Sequence, residues 1–292
     1  MTSTNAPATN APATNVQRLA VALGAGLQYT LMIFVIAISL GPFVWVILST
    51  FKSNRQVLDS ALSLPSRLSF AAYANAIERS NFLLFFYNSL FVSVMATVVA
   101  ILVFGMAAYV LARFEFPGKN LIYGLLVSTL LVSLIPMQQP ILTVVQFLHL
   151  YDTKWALILV YSAKGLPIVI FIMVSFFKSI PKEMEEAAYL EGASFFQTYI
   201  RIMLPLARPA MASSAVLIFL NSWNEFLFAL LLTQSESNRT LALALRFFTN
   251  MFAYDFPTLF AAVVMTLLPS ILIYILLQEQ IHKSLAAGAV KG

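Results

Sequence analysis

The chain has 292 residues, of which 60% are hydrophobic and only 10% charged, and its mean hydropathy is +0.86. Soluble domains carry about 25% charged residues, so a single water-facing globule is excluded and the composition specifies an integral membrane protein. The formal charge of +5 comes without a basic run or interleaved aromatic and basic residues, which argues against nucleic acid as a partner. The absence of Cys excludes disulfides, thiolate catalysis and Cys-based metal sites. His149 and His282 stand far apart in the sequence, outside metal-ligand spacing, so no metal site is expected.

The first stretch, MTSTNAPATNAPATN, repeats NAPAT and has no large apolar residue before Val16. Such polar, low-complexity sequence predicts disorder over residues 1–17. A basic start followed by an apolar core is missing, so it does not read as a signal peptide.

Apolar blocks follow, and a crossing needs roughly 20 apolar residues. They cover about 26–49, 84–111, 121–147 (interrupted by IPMQQP), 155–177, 209–232 and 257–277. The expected fold is therefore all-α and polytopic, with six membrane helices over residues 18–280 and a short tail, 281–292. Helices are the natural reading because hydrocarbon offers no partner for a free amide, and the alternation of barrel strands is missing. Pro42, Pro136, Pro140, Pro167 and Pro269 fall inside these blocks, where each removes a backbone bond and permits a kink.

The connections differ in character. Residues 51–83 and 233–256 read as polar loops, 112–120 (ARFEFPGKN) and 149–154 as tight turns, and 178–208 as a long charged segment. Six crossings put both termini on one side. On that side stand Arg18, Arg113, Lys119, Lys178, Lys182, Arg201, Arg208, Lys283 and Lys291. Opposite them are Lys52, Arg55, Arg67, Arg79, Lys154, Arg239 and Arg246. Basic residues favour the cytoplasm, so nine against seven leans only slightly towards cytoplasmic termini.

The segment 178–208 contains EEAAYLEGASFFQTYIRIMLPLARPAM. At about 100° per residue, Met184, Ala187 and Ala188 share one helix face, with Lys182 and Glu186 on the other. Gly192 suits a corner between two short helices. Leu204-Pro205 and Arg208-Pro209 stop the second helix and start the next crossing. Small Ala residues let another surface approach, and Glu186 offers a charge to a basic partner. An interfacial amphipathic segment between two spans is the plain alternative.

Two further polar features sit in the blocks. Asn221, Asn224, Glu225 and Phe228 fall at helical spacing on one face, and Lys164 lies inside the fourth block. A charge inside a membrane helix costs about 2.5 kcal/mol or more on insertion scales, so each should face other helices or water. Glu225 and the amides would either line a hydrated pathway, with Trp223 or Phe226 stacking on a ring, or hold helices together. Lys164 would pair with Glu225, snorkel to a surface or bind a solute. Gln138 and Gln139, between Pro136 and Pro140, would line the same pathway or fill a kink.

The spacing Glu186-Ala187-Ala188, three residues, Gly192, nine residues, Ile202, one residue, Leu204-Pro205 resembles the cytoplasmic loop motif of bacterial ATP-binding-cassette importer permeases. The resemblance runs from about Arg18 to the end. It is nearest to the smaller six-helix subunit of carbohydrate importers of the maltose-permease type, through FFKSIPKEMEEAAYLEGAS, NSWNEFLFAL and the ending SLAAGAVKG. Lys164 departs from the small or apolar residue that the family leads one to expect, and the NAPAT repeat has no counterpart there.

The resemblance implies a transport subunit without enzymatic activity. Glu186, Ala187, Ala188, Gly192, Ile202, Leu204 and Pro205 would dock on a soluble ATPase. The tail, with Gly288, Lys291 and Gly292, would reach between two ATPase subunits. ATP and Mg would be held by those partners, since this chain carries no GxxxxGK[ST] sequence and is expected to bind no cofactor itself. A second homologous permease, an extracytoplasmic sugar-binding protein, the lipid bilayer and a carbohydrate substrate complete the expected partners. The site would be the bacterial inner membrane, with both termini cytoplasmic, and Gln138, Gln139, Lys164, Asn221, Asn224 and Glu225 are the candidate pathway residues. An importer of a non-sugar solute and an ion-driven secondary transporter are the rival readings; the latter leaves the 186–205 spacing unexplained.

Overall fold

The computed structural model describes residues 15–60 and 62–289; most of the NAPAT segment, Lys291 and Gly292 lie outside them. Among the described residues the chain forms helices and no strands. α1 (Asn15–Ser49) takes in positions 15–17, which the sequence suggested were disordered. Neither Pro nor Gly stands between Asn15 and Gly24 to stop that helix. α2 (Asn54–Asp59) and α3 (Ala71–Glu78) follow within the first polar connection. α4 (Phe82–Arg113) runs back through the bundle, and α5 (Lys119–Ser128), α6 (Gln138–Phe147) and α7 (Lys154–Ser179) succeed it.

Four of the described helices are long and apolar enough to cross a membrane: Gly26–Ser49, Phe82–Arg113, Lys154–Ser179 and Phe256–Leu276. A fifth candidate is a bent pair, Phe195–Leu206 with Arg208–Trp223. The third expected span is not one helix. Its block gives α5, a 3₁₀ turn at Thr129–Leu131, a non-helical stretch and then α6. Pro136 lacks the amide hydrogen that a continuous helix would use, and it disfavours helical angles at Ile135. The two halves still travel between ends. Tyr123, Leu126 and Val127 pack at the end of Tyr109 and Phe177, whereas Val145 packs at the other end with Val92 and Ala156. Pro42, Pro167 and Pro269, by contrast, remain inside their helices.

The end holding Arg113, Ser179 and Arg208 is called the lower end here, and the end holding Ser49, Phe82 and Lys154 the upper end. α4, α7 and α11 (Arg208–Trp223) form the centre. They approach closely because the contact positions are small: Ala100 and Ala108 are fully buried. A Cβ on Gly165 would lie 3.1 Å from Ile218 Cγ1 and 3.3 Å from Ala100 Cβ. α1 lies at the periphery. Its side chains from Leu27 to Val44 are largely exposed, and Trp45 meets Phe260 edge-on at 5.4 Å.

Two other expectations change. The supposed polar loop 233–256 contains a 3₁₀ turn, Glu236–Asn238, and a helix, α13 (Leu241–Met251); its label follows from α12 (Leu227–Leu232), which precedes it. Leu241, Ala244 and Phe248 recur at helical spacing and are buried with Phe82, Phe85 and Trp223. Residues 281–289 of the supposed tail continue α14 (Phe256–Ala289), a helix of 34 residues.

Candidate coupling segment and mid-membrane charge pair

Between α7 and α11 the chain leaves the bundle. Ile180 is extended, as the residue before Pro181 should be. α8 (Glu183–Leu190) starts with Glu183, Glu185 and Glu186 in its first turn, where the helix dipole favours acids. It ends in a Schellman motif. Gly192 has φ +83°, its amide donates to Tyr189 O at 3.0 Å and the Ala193 amide to Ala188 O at 3.0 Å. Ser194 then caps the next helix reciprocally with Gln197. That helix is α9 (Phe195–Thr198), continued by a π turn (Tyr199–Met203) and α10 (Leu204–Leu206). Pro205 has no amide to offer the Arg201 carbonyl, and the local pattern widens so that the Leu204 amide bonds Tyr199 O. A bend of 76° then leads into α11.

The helix–corner–helix shape agrees with the sequence reading, but the facing of α8 does not. Ala188 is buried, while Met184, Glu186 and Ala187 are exposed and Leu190 is 89% exposed. Ala188 therefore points inward rather than sharing an outer face with Ala187. The cause is Glu185, one turn before it and also buried. Glu185 pairs with Arg113, the last residue of α4. Tyr109 OH donates to Glu185 Oε2 at 3.2 Å, and Arg113 Nη2 donates to Ile180 O at 2.8 Å. Sequence reading missed this pair; the spacing of Glu185 and Ala188, three apart on one side of α8, is the signal that points to it. Ile202 and Leu204 pack partly buried on the lower core, and Gly192 and Pro205 stay exposed. Gly288 lies in the last turn of α14.

Within the bundle, Lys164 of α7 and Glu225 are ion-paired. Glu225 sits in the break between α11 and α12. Its Oε1 accepts from the amides of Leu227 at 2.9 Å and Phe228 at 3.1 Å, so one carboxylate holds the cation and caps the half-helix. Lys164 Nζ also lies 5.2 Å from the centre of the Phe228 ring and 5.8 Å from that of Tyr161. Lys164, Tyr161, Asn221 and Ser222 line a mostly apolar cavity of about 730 Å³ between α7, α11 and the broken third block. Glu225, Asn224, Gln138 and Gln139 are not among its lining residues. Asn221 and Asn224 donate back to the carbonyls of Leu217 and Leu220, each at 2.8 Å. Trp223 cannot stack on a ligand: it is buried against Phe219, and its Nε1 donates to Thr266 O at 3.1 Å. Phe226 remains partly exposed.

At the upper end the turn before α7 is pinned to the segment after α12. Asp152 takes a left-handed φ of 58°. Its carboxylate accepts from the amides of Gln234 at 2.8 Å and Ser235 at 2.9 Å and from the Ser235 hydroxyl, while its own amide donates to Leu232 O at 2.9 Å. Burial pushes the Asp152 carboxyl up, but the Ser235, Gln234 and Asn238 donors outweigh it and hold the group below the usual aspartate range.

Residues 112–286 match the family described as binding-protein-dependent transport system inner membrane component. The chain is 37% identical over 269 residues to the diacetylchitobiose uptake system permease protein of Streptomyces coelicolor, covering 91% of this chain and 89% of that one. It is 33% identical over 263 residues to the trehalose transport system permease protein of Mycobacterium tuberculosis, covering 88% and 94%. A crystal structure of a bacterial ABC transporter that imports the acidic polysaccharide alginate superposes with a TM-score of 0.77 at 22% identity, over 91% of this chain and 98% of that one, which establishes the fold. The matched region includes all of residues 178–208, the Lys164–Glu225 pair and most of α14, and the chain belongs to the binding-protein-dependent transport system inner membrane component family.

Proposed function

We propose that the chain is the permease subunit of a binding-protein-dependent, ATP-driven importer, that its solute is a carbohydrate, and that residues 178–208 dock on a cytoplasmic ATPase subunit. The carrying observation is the agreement of pattern and shape in one segment. The spacing from Glu186 to Pro205 folds as short helices joined at a left-handed Gly192, with Glu186, Ala187 and Leu190 facing outward. Such a knob, small in the middle and charged beside it, suits insertion into a groove of another protein. The carbohydrate assignment rests on relatives named for diacetylchitobiose and trehalose uptake.

A second homologous permease closes the half-open cavity beside Lys164 and Asn221, whose donors suit hydroxyl groups. Two ATPase subunits hold ATP and Mg, and their closure moves the docked segment as a rigid body. On this reading both termini are cytoplasmic, as the docked segment is, and the upper loops face the binding protein.

The absence of native cysteines makes the test direct. A cysteine introduced as Ala187→Cys crosslinks to the ATPase subunit in intact membranes, and Gly192→Pro abolishes labelled sugar uptake while the protein still inserts. Absence of the crosslink, together with normal uptake by Gly192→Pro, overturns the reading.

A further inference from the structure

We propose that α4 is a strut that carries conformational change between the coupling segment and the upper connection 233–241, and that Glu185 at one end and Asn88 with Ser89 at the other are its positioning residues. The proposal rests on the coupling reading of residues 178–208.

α4 differs from every other candidate span among the described residues. α1, α7 and α14 each contain a Pro, and the remaining candidate is the bent pair. α4 has 32 residues and no Pro, a continuous rod of about 48 Å at 1.5 Å per residue. Its one glycine, Gly105, is held between Met173 and the Tyr199 hydroxyl.

Both ends are fastened by buried polar groups. At the lower end Arg113 pairs with Glu185, and the two side chains are only 6% and 10% exposed. The Tyr109 ring stacks on Tyr199 at 5.2 Å and meets Phe195 at 5.4 Å, so both arms of the coupling segment touch the same turn of α4. At the upper end Asn88 Nδ2 donates to the carbonyls of Ser237 at 2.8 Å and Arg239 at 2.9 Å. Ser89 Oγ accepts from the Leu241 amide at 2.7 Å, where α13 begins. Asn88 and Ser89 are fully or almost fully buried. Sliding either partner away would leave charges or amides unpaired in a dry interior. The low-cost motion keeps both fastenings and moves α4 with the segments it holds, so a displacement at one face of the membrane appears at the other.

The test uses the assembled importer in proteoliposomes and reads how strongly the solute-loaded binding protein accelerates ATP hydrolysis. Asn88→Ala with Ser89→Ala should leave the unstimulated hydrolysis rate unchanged while the acceleration falls about ten-fold, within the usual range of coupling energies. Glu185→Gln should reduce acceleration similarly with the ATPase subunits still bound, and Ser89→Thr, which keeps a hydroxyl, should retain it. If the double variant fails to assemble, Ser89→Ala alone decides. Full acceleration in the upper-end and Glu185→Gln variants overturns the strut, as does loss of bound ATPase from Glu185→Gln, which would make Glu185 a docking residue. If the unaltered chain never co-purifies with an ATPase, the coupling reading fails instead; if it does, and only Gly192→Pro uncouples, the strut alone is lost.

Discussion

The Arg113–Glu185 and Lys164–Glu225 ion pairs differ in what surrounds them. Arg113–Glu185 is shut away from solvent, its side chains 6% and 10% exposed, with a tyrosine hydroxyl donating to the glutamate and the arginine donating to a backbone carbonyl. Lys164–Glu225 has its cation 20% exposed and opening on the cavity between α7 and α11, while its anion caps a broken helix. The same chemistry therefore does two jobs. Where the dielectric is low on every side, an ion pair acts as a fixed joint, because neither charge has an alternative partner. Where one charge reaches a cavity, that charge can trade its partner for water or a solute hydroxyl.

Removing a partner from each pair tests this contrast. Arg113→Leu strands Glu185 in the interior and should cost about 3–5 kcal/mol, read as loss of assembled, thermally stable protein from membranes. Adding Glu185→Leu should recover most of it, since an apolar pair of similar volume is tolerated. Lys164→Met should cost less, about 1–3 kcal/mol, because Glu225 keeps its two amide donors. Equal destabilisation by the two substitutions, measured by thermal melting of purified complex, would mean that the cavity is dry and the contrast false.

The next effects are smaller. Gly165→Ala places a methyl 3.1 Å from Ile218, between the two regions. A loss of about 1–2 kcal/mol is expected, relieved by Ile218→Val in the same chain. Asp152 gives the smallest effect, and it depends on pH. Its folded carboxyl titrates below the ordinary value of 3.8. The stabilisation is therefore complete above that value and is lost as pH falls through the lower folded value. Proteolysis of the 233–240 segment in acid should rise in the native chain over that interval, and Asp152→Asn should remove the pH dependence.

How legible these regions were in the sequence follows from the kind of signal each carries. The helix–corner–helix shape of residues 178–208 could be drawn, because Gly192 and Pro205 act locally: a left-handed corner and a missing amide need only neighbours in the chain. Which glutamate turns inward could not be read. Glu185 and Glu186 are alike in any local scale, and the choice is made by Arg113 and Tyr109, distant in sequence. Lys164 with Glu225 was legible as an option, since two costly charges in apolar blocks attract attention, but Trp223 was misjudged because only the fold buries it. The third block carried its own warning in Pro136 and Pro140, and counting it as a helix gave total apolar length too much weight. α13 was overlooked although Leu241, Ala244 and Phe248 display its buried stripe, since Gln234 to Arg239 made the region look uniformly polar.

On the proposed docking of residues 178–208, the sharp angle between the arm ending at Leu206 and the span starting at Arg208 would set the direction in which work is done. A push along the arm has only a small component along the axis of the span, so it neither drives that helix deeper into the bilayer nor withdraws it. On the proposed docking the bent pair would work as a crank, turning thrust along the arm into tilt of the span.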